Sequence, residues 1–149
     1  MSLLRDPALV AVNDVMVQCQ TNARHHRYTA EVIDDAAVAG ALQRLAGDRE
    51  ALADRLALGL RSHGDLPHAA DAELDSLHEL GDRLIARFAE RGAGRLLRER
   101  SDDERRLAAA AKRALDEAVP GDLRPQFEHL VTEANAAADD LIARIETLS

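Results

Sequence analysis

Little in this chain is equipped for chemistry: six histidines, one cysteine and 27 Asp and Glu side chains. A helical bundle that holds two metal ions through carboxylates takes a Glu from each of two helices and a Glu-x-x-His pair from each of two others. Hard, highly charged ions need several anionic oxygens, and imidazole adds neutral nitrogen. No Glu-x-x-His occurs here. Glu128 and His129 are adjacent, so on a helix they project about 100° apart and cannot both face inward. Three polar residues nevertheless interrupt otherwise apolar stripes: His26, Arg49 and Glu104. Two readings follow. One is a remnant or single-ion site for iron, manganese or zinc. The other is a buried polar layer in which Arg49 pairs with Glu104 and His26 hydrogen-bonds nearby, since buried charges persist when paired. The arginine's positive charge opposes a cation and favours the layer. No catalytic or cofactor-binding residue is expected.

The other candidates carry less. Cys19 falls on an apolar stripe, which predicts a buried, inert thiol. A single cysteine excludes a disulfide scaffold and a Cys-based zinc site. His25, His63, His68, His78 and His129 have no second histidine or cysteine at helical spacing and read as surface or boundary residues, although His63 and His68 flank a turn that could trap a metal adventitiously. No nucleophile elbow and no phosphate-cradling glycine loop is present. The stretch Arg95-Leu96-Leu97-Arg98-Glu99-Arg100 is basic and amphipathic, but it is short and flanked by acids. Tyr28 is the lone tyrosine, so nucleobases have no stacking platform.

The elements that must position these residues are helices. Ala and Leu, 29 and 22 of the 149 residues, are strong helix formers, whereas β-branched and aromatic residues are sparse. Asp6 caps a first helix with Pro7 in its first turn, and Leu9, Val12, Met16, Cys19, Ala23, His26, Ala30, Ile33 and Ala37 form its seam. Asp34 and Asp35 mark its end. Val38, Leu42, Leu45, Arg49, Leu52, Leu56 and Leu60 form a second seam, closed by Ser62-His63-Gly64-Asp65-Leu66-Pro67. Residues 67–94 read as a crossover with its own helical piece around Leu74, Leu77, Leu84, Ile85 and Phe88. A third helix over 95–118 turns Leu97, Glu104, Leu107, Ala111, Ala114 and Ala118 inward. If Ser101-Asp102-Asp103-Glu104 serves as a capping box, that helix starts near 102 instead. Asp122 is placed to cap the last helix, with Pro125 in its first turn and Leu123, Phe127, Leu130, Ala134, Ala137, Leu141, Ile145 and Leu148 as its seam.

The expectation is an all-α single domain over 1–149: a four-helix bundle of two antiparallel hairpins joined by a long crossover, about 64–94, that contains a short extra helix. Among common bundles this is the ferritin-like topology. The net charge of −8 argues against a nucleic-acid partner. No apolar run is long enough for a membrane span, and Asp6 and Pro7 interrupt any signal-like start. Alanine-rich seams make a thin core, so pairing of two copies through one hairpin is expected to add burial.

Val12-Asn13-Asp14-Val15-Met16, then Cys19, then Ala30-Glu31, resembles the first helix of a bacterial ferritin-like four-helix-bundle family of unknown function. That family shows Leu-Asn-x-Leu-Ile, Cys-x-x-Gly-Glu and paired alanines with Glu. Leu60-Arg61-Ser62-His63-Gly64-Asp65-Leu66-Pro67 is similar to its Val-Arg-x-Leu-Gly-Gly-x-Pro, and Leu77-His78 to its Leu-His, with Gly81 where a tryptophan often follows. Arg100-Ser101-Asp102-Asp103-Glu104 stands where the family repeats Cys-x-x-Gly-Glu. The resemblance implies a ferritin-like bundle of the bacterial cytoplasm, associated with stress response, with no known reaction. It also implies that Ala23 occupies the position of the first-helix motif glutamate while Glu104 keeps the third-helix one, with Asn22 and His26 beside Ala23. The expected function is that of a non-catalytic bundle acting through protein–protein contacts, as a homodimer or with another protein. The alternatives are a metal-binding or redox protein with a degenerate site near His26 and Glu104, and a bundle enclosing a small apolar ligand.

Overall fold

The computed structural model describes residues 6–68 and 74–148, with the backbone alone over 74–91. The described residues form four helices and no strand: α1 (Pro7–Val32), α2 (Ala36–Ser62), α3 (Leu74–Asp116) and α4 (Arg124–Ile145). None is long and apolar enough to cross a membrane.

The starts of α1 and α2 follow from their caps. Asp6 Oδ1 accepts the Ala8 N–H at 2.9 Å, with Pro7 at the first helical position. Asp35 Oδ1 accepts the Val38 N–H at 3.1 Å. Because α1 stops at Val32, Ala37 belongs to the first turn of α2 and is exposed rather than closing the first seam. At the end of α2, Gly64 takes φ +78°, and the N–H groups of Gly64 and Asp65 return to the carbonyls of Arg61 and Leu60 at 3.0 and 2.9 Å. Only glycine adopts that conformation without strain, so the turn expected at 62–67 has a physical cause.

Four expectations are corrected in the second half. The Ser101–Glu104 box caps nothing, because α3 runs unbroken from Gly92 to Asp116. Its one non-helical residue is Gly92, at φ 78° and ψ 172°. Ser101 Oγ instead donates to the Ala138 carbonyl of α4 at 2.9 Å. Ala118 does not face inward; it is exposed and takes φ 56° just past the helix end. Asp122 does not cap α4, whose N-cap Leu123 makes no side-chain bond, and it pairs instead with His63 Nε2 at 2.9 Å. The α4 seam also shifts from Ala137 to the fully buried Ala138. Leu74, Leu77, His78, Leu84, Ile85 and Phe88 lie outside the described side chains.

The large interfaces are α1 with α2, α1 with α3, and α3 with α4. Bonds from Asn22 and His26 to Glu104, and from Arg100 back to Thr29, run antiparallel between α1 and α3. Since α1 is also antiparallel to α2 across a three-residue join, α2 is parallel to the part of α3 beyond Gly92, and Leu97 packs with Val38 and Leu42 near the start of α2, so the chain from Ser62 to Gly92 leaves one end of α2 and arrives at the other. Asn13 anchors the start of that passage: its Oδ1 accepts the His68 N–H at 2.7 Å and its Nδ2 donates to the His68 carbonyl at 3.2 Å.

The apolar core comes in two parts. One gathers Val12, Met16, Cys19, Leu52, Leu56, Leu107, Phe127 and Leu130, among others. The second gathers Ala30, Ile33, Val38, Leu42, Leu97 and Leu141. Between the two parts, α1, α2 and α3 carry buried polar side chains, while α4 presents the buried Ala138.

Candidate functional site

α1 supplies this layer with Asn22 and His26, four apart and therefore on one face. α2 supplies Arg49, and α3 supplies Glu104. All four are buried, with Asn22, His26 and Glu104 fully inaccessible and Arg49 3% exposed. Glu104 is the centre. Its Oε1 accepts Arg49 Nε at 3.0 Å and Nη2 at 2.6 Å. Its Oε2 accepts Asn22 Nδ2 at 2.8 Å and His26 Nε2 at 3.1 Å. A carboxylate offers about four lone-pair sites, and short donors fill all four. Asn22 is held in turn, donating to the Asp103 carbonyl at 3.0 Å and accepting Gln18 Nε2 at 2.7 Å.

Glu104 is ionised. Burial, the largest influence, pushes its carboxyl up, but the bonds from His26 and Arg49 and the arginine's charge together bring it below the usual carboxylate range. An acceptor-only carboxylate requires His26 to carry its proton on Nε2. His26 Nδ1 is then a bare lone pair, buried and with no partner. Protonating it would bury a charge and an unbonded N–H, and burial holds the imidazole below its ordinary value despite Glu104. Arg49 stays charged: burial opposes this, and the bonds and charge of Glu104 outweigh it. Cys19 is buried as expected, and burial pushes its thiol up to about 12, so thiolate chemistry is shut off.

The three residues expected at mid-bundle, His26, Arg49 and Glu104, thus meet, joined by Asn22. The sequence reading missed a second cluster one residue along both helices. His25 Nδ1 lies 2.8 Å from Asp103 Oδ2, which also accepts Arg100 Nε at 2.9 Å. Arg106 Nη1 donates to Asp103 Oδ1 at 2.8 Å, and Arg100 Nη1 donates to Thr29 Oγ1 at 2.9 Å. Burial raises the Asp103 carboxyl, and the His25 bond and Arg100's charge overcome it, leaving it lowered. His25 is therefore a boundary residue with a buried carboxylate partner rather than a solitary surface histidine. The legible signal was a doublet facing a doublet: His25-His26 on α1 against Asp103-Glu104 on α3. Among the described residues the remaining histidines do not converge: His63 meets Asp122, and His129 pairs with Glu133 at 2.8 Å on the surface of α4.

This donor set does not fit a dimetal carboxylate centre. The one acid at the middle has no lone pair to spare, and a guanidinium occupies the space beside it. Among the described residues no group of three His, Cys, Asp or Glu side chains is gathered for an ion. Compared with models of protein families, with curated proteins and with solved structures, the chain finds no match in any of the three.

Proposed function

We propose that this chain is a ferritin-like bundle that has exchanged a metal-binding middle for a charge-balanced lock, and that it acts through its surface as a non-catalytic protein-binding module, in the first instance with a second copy of itself. The observation that carries this reading is the saturation of Glu104 by Arg49, Asn22 and His26. A carboxylate so occupied holds three helices together and has nothing left for substrate or ion. The parallel course of α2 and of α3 beyond Gly92 supports the ferritin-like assignment. Self-association is supported by Leu58, 64% exposed beside a pocket that Met16, Ala57 and Pro67 also line, together with Leu66, 73% exposed in the turn after α2; apolar surface gathered in this way favours a partner.

Metal analysis of protein purified without a histidine tag, together with sedimentation, tests the reading. The expected outcome is no stoichiometric iron, manganese or zinc, and a dimer that Leu58→Glu with Leu66→Glu converts to monomer. Stoichiometric metal that is lost in Glu104→Ala overturns the lock; a wild-type chain that sediments as a monomer at all concentrations overturns self-association.

A further inference from the structure

We propose that His25 is a phosphoryl acceptor, taking the group on Nε2 from a small high-energy donor such as an acyl phosphate or phosphoramidate. The inference goes beyond the closed interior and does not depend on it. Asp103 only accepts hydrogen bonds, so its contact with His25 Nδ1 fixes the imidazole proton on that nitrogen. Nε2 is left with its lone pair and no partner among the described residues. The His25 side chain is 23% exposed and Asp103 only 4%, so the dyad is presented outward from a buried anchor. It opens on a pocket of about 280 Å³ lined by His25, Glu99, Arg100, Asp102, Asp103 and Arg106.

A carboxylate that orients an imidazole and stabilises its cationic form makes the far nitrogen a better nucleophile. The Nε2 lone pair attacks phosphorus, a nitrogen–phosphorus bond forms, and the phosphorus–oxygen bond of the acyl phosphate breaks with its electron pair leaving on the carboxylate. No proton has to be removed, because Nε2 carries none. The ring gains the positive charge and keeps its Nδ1 proton against Asp103. Asp103 then depends less on its second guanidinium. Arg106, whose side chain is 65% exposed, is free to turn from Asp103 Oδ1 to the new phosphoryl oxygens. Glu99 lies 4.0 Å from Arg100, so part of the acidic lining is already met by a cation.

The test is incubation of the intact chain with phosphoramidate, which donates phosphoryl to imidazole as ammonia departs, followed by ³¹P NMR and peptide mapping under alkaline conditions. His129 is the internal control, since its side chain is 70% exposed and lacks a buried anchor. The expected result is acid-labile phosphate on Nε2 of His25, ahead of His129, His63 and His68. Asp103→Asn should slow its formation roughly tenfold or more by releasing the tautomer, with folding checked by circular dichroism. Labelling that follows exposure, labelling on Nδ1, absence of label on His25, or a rate unchanged in a folded Asp103→Asn variant overturns the proposal. The wild-type mapping decides the matter even where the variant does not fold.

Discussion

Glu104 is the side chain on which most others depend. Three helices meet at its two oxygens, and each contact is buried. A buried ion pair adds little net stability over an apolar replacement, but removing one partner strands the other charge. Glu104→Ala is therefore expected to cost about 3–5 kcal/mol in denaturant unfolding, and Glu104→Gln less, because an amide oxygen still receives Arg49. A Glu104→Ala variant as stable as the wild type would mean that Arg49 escapes to water. His26 sets the acid response. Its folded value lies below the ordinary 6.5, so below about pH 6.5 the unfolded imidazole takes a proton that the folded one refuses, and stability falls as pH falls. Glu104 and Asp103 act in the same direction at lower pH. Their folded values lie below 4.5 and 3.8, so their contribution is complete above those values and is lost as the pH descends through the folded ones. Thermal midpoints measured from pH 7 downward should drop from about pH 6.5, and His26→Gln, which keeps a donor toward Glu104, should flatten the first part of that fall. An unchanged slope in His26→Gln would mean that this histidine does not set it.

At the scale of elements, the seams and the caps of α1 and α2 were legible because apolar spacing and capping chemistry are local. What misled were residue types with more than one use. Ser101, Asp103 and Glu104 have the composition of a helix start, yet α4, Arg100 and Arg49 claim them first. Arg100 and Asp103, three apart on α3, look like a solvated pair, and only the arrival of α1 buries them. Ala118 continues an inward spacing, but the helix has already ended. Two backbone positions give opposite predictions. Ala118 pays for a left-handed conformation with a Cβ present, so Ala118→Gly should stabilise by about 1 kcal/mol. Gly92 sits in a region closed to other residues while its added Cβ would touch nothing within 4 Å. Gly92→Ala should therefore cost about 1–3 kcal/mol from backbone strain alone. Chemical denaturation of both variants checks the signs; equal stability of Gly92→Ala and wild type would mean that the bend reforms without glycine.

At the scale of the molecule, the three residues expected at mid-bundle and their meeting could be read from chain spacing, because a polar residue in an apolar stripe has few places to go. The layer's extent could not, since it depends on how α1 and α3 are aligned across a long passage of chain. That alignment also explains Asn13. A residue in an apolar helix stretch, it is spent on the backbone of His68, tying the departure of the crossover to the first helix. It likewise explains why the core is in two parts: the level at which three helices carry buried polar groups cannot also carry leucines.

Arg49 and Glu104 are separated by 55 positions in the chain, and this has a consequence during synthesis. When only the first pair of helices has left the ribosome, a guanidinium destined for the dry interior has no counter-ion. Docking of α1 on α2 at that level is then disfavoured until the acid on α3 emerges. The early hairpin is thereby kept from closing on itself, and the nascent protein settles only once its second half is on hand.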